Sequence, residues 1–431
     1  MLKLLLQNIL GFLSKAIIKK YRPIVVGITG SVGKTSAKEA VATILNTKFK
    51  VRANSKNYNN EIGVPLTIIG GVEPPGRSLV AWLVLFFRGV WLLVGRRVAY
   101  PEVLILEMGA DKPGDIKYLT TIAPCTVGVL TFISHAHTEF FKTIKRIVQE
   151  KRIIISHLPR SGHAIVNYDC AKVMENVEVT KSEVISYGFK DGASVQATDV
   201  KVITDDSALW PMGLNFKVSY QGSFVPVFLP GMVAEQSISA ALAGLAVGLS
   251  LGVNLIQGAE AIRNVAPLAG HLRLIPGIKE TLIIDDTYNS SPAALRAALQ
   301  VLADIVVSAG SERYAVLGDM LELGGETESA HREAGFLVAE KGFDYLITVG
   351  EAMKGAAAAA REAGFPEHHI ASFNDSRAAG KFLQEKLRSG DVALVKGSQG
   401  TRMERIVKEV MGEPLRAGEL LVRQSEEWLR K

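Results

Sequence analysis

The sequence predicts an α/β protein with mainly parallel sheets, and three observations carry that expectation. Short apolar runs ending in glycine or an acid recur along the chain: IVVGITG, VLILEMGA, TVGVLTFI, HAIVNYD, then TLIIDDTY, YAVLGDM, YLITVG and DVALVKGS. Helical patterns lie between most of them, the alternation from which parallel sheets covered by helices are built. A glycine-rich turn, GITGSVGKTS, joins the first run to a helix-forming stretch, and sheets of this kind bind ligands at the carboxyl ends of their strands.

The 431 residues include 49 Lys and Arg against 43 Asp and Glu, a net charge of +6, with 48% hydrophobic and 21% charged residues. That is the composition of globular domains with real cores, and it excludes a disordered or collagen-like chain. The length suits roughly two to four domains. Cys125 and Cys170 are the only cysteines, which excludes a cysteine-rich zinc site and speaks against a disulfide framework, so a reducing, cytoplasmic setting is expected. The charge is unevenly placed: Lys3, Lys15, Lys19, Lys20, Arg22, Lys34 and Lys38 all precede the first acid, Glu39. A basic, leucine-rich start suits a membrane surface better than nucleic acid.

The elements follow in order. Residues 1–20, MLKLLLQNILGFLSKAIIKK, place their polar residues at helical spacing and predict an amphipathic helix. No small-residue cleavage site follows, and the first strand begins by Ile24, so a cleaved signal peptide does not fit. A second apolar helix is predicted at 79–95, LVAWLVLFFRGVWLLVG. Its length and the central Arg88 weigh against a membrane span, which needs about 20 apolar residues. An interfacial helix and a helix packed on the body both remain open. Residues 190–230 alternate apolar and polar positions, as an antiparallel meander does, and a helix from about 237 to 251 follows. The junction APLAGHLRLIPG at 266–277 separates the two α/β parts. The expected organisation is an N-terminal helix at 1–22, an ATP-binding domain at 23–267 with an apolar insertion at 72–100, and a Rossmann-like domain at 268–431. No internal repeat or low-complexity tract is present.

Gly30-Ser31-Val32-Gly33-Lys34-Thr35, followed by Ser36, has the spacing of a phosphate-binding loop that opens a helix. Its amide N–H groups converge on a phosphate chain at the helix N-terminus. Lys34 then reaches the β- and γ-phosphates, and the Thr35 hydroxyl sits on Mg²⁺. Such loops serve kinases, GTPases and ligases alike, so ATP or GTP binding follows from the motif and the reaction does not. Glu107 ends the strand VLILE, where a carboxylate can face a nucleotide-bound metal. His137 lies past the next strand, and Lys151 falls in the helix TIKRIVQEKRIII. Singly these also read as a helix cap, an ordinary histidine and a solvated lysine.

Together the segments GITGSVGKTSAKEA, NYNNEIGVPLT, EMGADKPGDIKYL, HAHTEFFKTIKRIVQEK, AIVNYD, IDDTYNSSP, VLGDMLELG with His331, and VKGS resemble the Mur ligases, in the same order, over about residues 23–410. NNEIGVPLT and GDMLELG incline the resemblance to the branch that adds D-alanyl-D-alanine to a UDP-N-acetylmuramoyl-tripeptide in peptidoglycan precursor synthesis. The resemblance implies ATP-dependent, ADP-forming amide ligation through an acyl phosphate, with ATP and Mg²⁺ as cofactors. It implies catalytic roles for Lys34, Glu107, His137 and Lys151, with Thr35 and Glu107 on one Mg²⁺. Glu107, His137 and a carbamylated Lys151 would organise a second. It further implies nucleotide contacts from Asp286 and Asn289, muramoyl-peptide contacts from Asn59, Asn60 and Glu61, and dipeptide or closure roles for Asp319, Lys396 and Ser398.

Departures from the family pattern accompany the match. Only about 22 residues precede the first strand, so the family's separate UDP-gripping domain has no counterpart before it, and UDP recognition is expected on another surface or protein. Gln236-Ser237 stands where the family has His-Asn, and Gly270-His271 where it has Gly-Arg, with Arg273 nearby. A Mur-type ligase acting on another, lipid-linked carboxylate stays open as an alternative. So does a membrane-associated nucleotide-binding scaffold, although such a scaffold has no need of Glu107, His137 and Lys151 together. The segments 1–20 and 79–95 are expected to pair beside the ATP-binding domain. Lys3, Lys15, Lys19, Lys20, Arg96 and Arg97 would then face the cytoplasmic side of a membrane.

Overall fold

A computed structural model describes residues 2–54, 58–71, 78–96, 98–134, 141, 143–204 and 210–430, with residues 2–5 described for the backbone alone. His137 and Arg97 lie outside the described residues, as does the side chain of Lys3. The chain divides into two compact units. One comprises Met1–Val200, Asn215–Leu229 and Glu235–Val265; the other comprises Lys201–Leu214, Pro230–Ala234 and Ala266–Lys431.

The first unit opens with α1 (Leu2–Tyr21), β1 (Ile24–Thr29), α2 (Lys34–Leu45), β2 (Val51–Ala53), α3 (Gly63–Ile69) and α4 (Leu79–Val94). It continues through β3 (Val103–Glu107), α5 (Asp115–Ile122), β4 (Val127–Leu130), α6 (Ile144–Lys151), α7 (Ile153–Ser156), β5 (His163–Asn167) and β6 (Glu183–Gly188). The strands β7 (Val195–Thr204), β8 (Pro211–Tyr220) and β9 (Ser223–Pro230) follow, of which Lys201–Leu214 and Pro230 count with the second unit, and then α8 (Glu235–Ser250) and α9 (Leu255–Ile262). The nine strands form one sheet in the order β2-β3-β1-β4-β5-β6-β7-β8-β9. From β2 to β7 every neighbouring pair is parallel. The alternating segment expected at 190–230 supplies β7 to β9. Gln221 and Gly222 join β8 to β9 with φ of 47° and 80°. A two-residue connection with positive φ at both positions is the turn that pairs antiparallel strands.

Both extra apolar helices form. Leu10, Leu13 and Ile17 of α1 are buried in the same core as Val64, Leu66 and Ile69 of α3, Leu85 and Leu92 of α4, and Ile116 and Leu119 of α5. Each such side chain contributes on the order of 1.5–3 kcal/mol when fully buried. Gly89 is the close point of the α1–α4 pair, since a Cβ there would meet Leu13 at 3.3 Å. Tyr21 stacks on Tyr100 with ring centroids 4.4 Å apart. Lys20 is exposed, and its ammonium also donates to the carbonyls of Leu92 (2.7 Å), Leu93 (3.0 Å) and Gly95 (2.8 Å), closing the C-terminus of α4. A helix C-terminus leaves carbonyls unsatisfied and attracts cations.

The second unit holds β10 (Arg273–Pro276), β11 (Leu282–Asp286), α10 (Pro292–Asp304), β12 (Arg313–Gly318), α11 (Thr327–Glu340), β13 (Tyr345–Val349), α12 (Lys354–Glu362), β14 (Ile370–Phe373), α13 (Ser376–Lys386), β15 (Val392–Lys396) and α14 (Glu404–Val410). Its sheet runs β10-β11-β15-β12-β13-β14, parallel throughout except for β10. Alternate residues feed two cores. Leu282, Ile284, Ala315 and Leu317 face one layer of helices, while Ile283, Tyr314, Val316 and Ala393 face the other. This is the two-sided burial that parallel strands require.

Candidate active site

The carboxyl ends of β1 and β3 lie side by side, because Ile28 pairs with Glu107 in register. The loop after β1 passes close to the chain after β4. Ser31 N donates to Phe132 O at 2.6 Å, the Ser31 hydroxyl exchanges hydrogen bonds with Ser134, and Val32 bridges Phe132. Gly30 is needed for that approach, since a Cβ there would collide with the Thr131 hydroxyl. Gly33, the N-cap of α2, has φ 81° and ψ 3°, a left-handed conformation that glycine adopts freely. Thr35 and Ser36 follow Lys34 in the first turn of α2.

Glu107 is the centre of this site, and it is 2% exposed. Its Oε2 accepts from the Thr35 hydroxyl at 2.9 Å, and its Oε1 accepts from Asn59 Nδ2 at 2.9 Å. Asn54 fixes the main chain beneath it: Glu107 N donates to Asn54 Oδ1, and Asn54 Nδ2 donates to Glu107 O and Tyr58 O. Lys38, itself buried, holds Asn54 O at 2.7 Å. Asn54 and Lys38 were not among the expected site residues. The available signal was a polar residue closing β2 and a lysine on the buried face of α2.

Two lysines stand at the loop. Lys34 Nζ donates to Gly30 O (3.0 Å) and Ser31 O (3.4 Å). Lys151 Nζ donates to Gly30 O at 2.9 Å. Among the described residues neither touches a carboxylate. Burial pushes the Lys34 ammonium below its ordinary range, with Glu107 and Asp111 opposing. Burial, with the Lys34 charge nearby, pushes Lys151 down to about 7. Glu150, next in chain, instead accepts from Gly114 N and Ile116 N at the start of α5.

The expected peptide-side residues divide. Asn59 reaches Glu107. Asn60 Oδ1 accepts from Ile62 N and Gly63 N, capping α3. Glu61 Oε1 accepts from Gln7 of α1 at 2.8 Å.

In the second unit the strand ends gather another group. Lys396, 2% exposed, pairs with Asp286 at 2.6 Å and donates to Asn289 O at 3.0 Å. Asn289 Oδ1 accepts from Ser290 N. Ser398 Oγ accepts from Leu321 N at 2.9 Å, and Asp319 Oδ1 accepts from Met353 N at 2.8 Å. Buried His331 accepts from Met320 N at Nε2. Burial pushes the neighbouring Asp285 carboxyl up to about 6, although Thr287 and Gly270 donate to it. His271 stacks on Tyr288 at 4.5 Å. Arg423, which sequence reasoning missed, donates to Thr287 O (2.9 Å) and to Tyr288 O. It thereby fixes the loop between Asp286 and Asn289.

The family model of the Mur ligase middle domain matches residues 28–73 and 92–247, and that of the Mur ligase, glutamate ligase domain matches residues 272–399. The chain belongs to the Mur ligase family. This Mur ligase is 27% identical over 403 residues to the UDP-N-acetylmuramoyl-tripeptide–D-alanyl-D-alanine ligase of Bacillus subtilis, covering 94% of this chain and 79% of that one. To the enzyme of the same name from Mycobacterium tuberculosis it is 30% identical over 391 residues, 87% of this chain and 70% of that one. Among solved structures it superposes on the MurF ligase of Thermotoga maritima in complex with ADP. There the TM-score is 0.76 and the identity 26%, over 94% of this chain and 83% of that one. The expected α/β fold and the family resemblance are thereby borne out. No described helix is long and apolar enough to cross a membrane.

The donors at the first site suit a magnesium nucleotide. Thr35 and Glu107 offer hard oxygens at the mouth of a phosphate loop, and Mg²⁺ is held by one or two carboxylates plus substrate phosphates rather than by an all-protein cage.

Proposed function

We propose that this Mur ligase is an ATP-dependent, ADP-forming amide ligase of peptidoglycan precursor synthesis, joining D-alanyl-D-alanine to a UDP-N-acetylmuramoyl-tripeptide. The observation that carries this reading is the Glu107 carboxylate held between the Thr35 hydroxyl and the Asn59 amide beside the phosphate loop. In that reading the loop amides and Lys34 bind the ATP phosphates. Lys34 neutralises charge on the γ-phosphoryl as the peptide carboxylate attacks phosphorus and ADP departs. The dipeptide amine then attacks the acyl carbon, phosphate leaves, and the amine proton passes to solvent or a nearby base. Magnesium, when bound, neutralises the phosphate oxygens, and Thr35 and Glu107 are the residues to hold it. Asn59 orients Glu107 and sits where the muramoyl peptide enters, with Asn60 and Glu61. With Glu107, His137 and a carbamylated Lys151 would organise a second Mg²⁺; the buried Lys151 amine is uncharged more often than an exposed one, as reaction with CO₂ requires. Asp286 and Asn289 serve the nucleotide, and Asp319, Lys396 and Ser398 the dipeptide side.

The domain limits proposed for the reaction are 23–267 and 268–431, and the reaction is placed in the cytoplasm at the inner face of the membrane. ADP release tests the reading. It should require both muramoyl-tripeptide and D-alanyl-D-alanine, and it should fall when CO₂ is stripped from the buffer and return with bicarbonate. ADP release that ignores the dipeptide, or an acceptor other than muramoyl peptide, overturns it.

A further inference from the structure

α4 divides into two unlike halves. Leu85, Gly89 and Leu92 are buried against the body of the unit. On the opposite half of the helical circumference stand Leu79, Leu83, Phe87, Val90, Trp91 and Val94. Leu79 is 78% exposed, Leu83 67% and Phe87 72%. Single exposed apolar residues are ordinary; a continuous row along a whole helix face marks a surface that something else covers. α4 also falls largely between the two stretches matched by the middle-domain family model, 28–73 and 92–247, so the shared fold does not account for the row.

We propose that the outward face of α4 docks on an anionic phospholipid bilayer, its side chains entering the boundary between headgroups and acyl chains. Charge and chemistry point to lipid. Neither residues 2–21 nor residues 78–101 contain an acid; the exposed cations Lys15 and Lys19 stand on α1, Arg88 on α4 with its guanidinium beside Gly70, and Arg96 just past the end of α4. A protein partner is held in register by hydrogen bonds and by a rim of mixed charge; the row offers one polar group, the Trp91 indole N–H. Indole with aliphatic neighbours and flanking cations is the composition that settles at a membrane interface. Phe12 of α1 is likewise exposed, at 70%. The anchoring of Lys20 on the α4 terminus makes α1 the brace and α4 the contact. The helix is 16 residues long and lies in the plane of the surface rather than crossing it.

The inference rests on the membrane-side placement proposed above and not on the ligation reaction, because docking is measured without nucleotide or peptide. The full chain is sedimented with vesicles of phosphatidylglycerol and phosphatidylcholine. Wild type should bind, and L83E/F87E should bind roughly tenfold more weakly while keeping its melting temperature and its ADP release in solution. F87S, which removes apolar surface without adding charge, should lose about threefold. L415E, at a fully exposed leucine of the other unit, should bind as wild type does. Vesicles of phosphatidylcholine alone should bind the wild type several-fold more weakly. Failure of the wild type to bind, equal binding by L83E/F87E, or indifference to phosphatidylglycerol overturns the proposal. So does a lipid-free dimer that L83E/F87E converts to monomer without any vesicle binding, since the face then belongs to a second copy.

Discussion

The two sheets end in lysines that are treated differently. At the carboxyl end of β1, Lys34 and Lys151 donate to main-chain carbonyls of the phosphate loop, and among the described residues neither meets a carboxylate. At the end of β15, Lys396 is as buried as Lys151 but closed by Asp286 at 2.6 Å. A buried cation without a counter-ion is costly unless an anion arrives. The first strand end is therefore set to receive negative charge from a ligand. The second is neutral before any ligand comes, and it organises the Asp286–Asn289 loop through the carbonyl of Asn289. Substitution of the two lysines should separate binding from architecture.

The largest effect is expected at Lys34. Lys34→Met removes the charge that stabilises the transferring phosphoryl, so ADP release with both substrates should fall about a thousandfold or more. Because the lysine is destabilised by burial, stability should not fall with it. A variant that keeps wild-type turnover would remove the functional half of the contrast.

Lys396→Met should behave in the opposite way. It strands Asp286 as a buried charge, and breaking such a pair from one side costs roughly 3–5 kcal/mol. Urea unfolding should show that loss, and the double variant D286N/K396M should recover much of it. Equal stability of Lys396→Met and wild type would mean that Asp286 is solvated or protonated and the second site is not closed.

How much of this was legible in the sequence follows from range and periodicity. The strands and the phosphate loop were legible because each is written within about ten residues: an apolar run, a glycine or acid, then a helical pattern. The contact of Asn59 with Glu107 spans 48 residues and that of Lys151 with Gly30 spans 121. No local spacing encodes such contacts; family resemblance named the residues, with Asn59 on the peptide side and Glu107 and Lys151 on the metals, but not these pairings. α4 shows a different limit. Apart from Arg88 it is apolar around its whole circumference, so periodicity could not say which half is buried; Gly89 facing Leu13 decides it. α1 was legible as a helix. The engagement of exposed Lys20 with α4, 72 residues away, was not.

Lys151 gives a finer test of the unpaired cation. Its amine is pushed down to about 7 from an ordinary 10.5, so between those values the unfolded chain holds a proton that the folded chain does not. Wild-type stability should then rise with pH across that window, by about 2 kcal/mol between pH 7 and 9 in CO₂-free buffer. Lys151→Met should lack this rise, so the variant's advantage at pH 7 narrows by pH 9. Parallel pH profiles of the two proteins in urea would show that the lysine is charged and compensated in the fold.

The smallest effect is expected at Ser398, and it bears on whether the second strand end touches substrate at all. The Ser398 hydroxyl accepts from Leu321 N at 2.9 Å, and its own N–H donates to Asp319 O. Asp319 in turn accepts from Met353 N, so both residues are committed to holding loops together. Ser398→Ala leaves the Leu321 N–H without that partner, which costs about 1 kcal/mol. If the hydroxyl only braces the loop, KM for D-alanyl-D-alanine should change less than about threefold, because the Asp319 contacts persist. A direct contact with the dipeptide predicts instead a loss in kcat/KM of about tenfold, the factor that 1.4 kcal/mol represents in a rate. Steady-state kinetics at varied dipeptide, read beside urea unfolding, distinguish the two: a stability loss with unchanged KM keeps Ser398 in the architecture, and unchanged stability with raised KM moves it into the site.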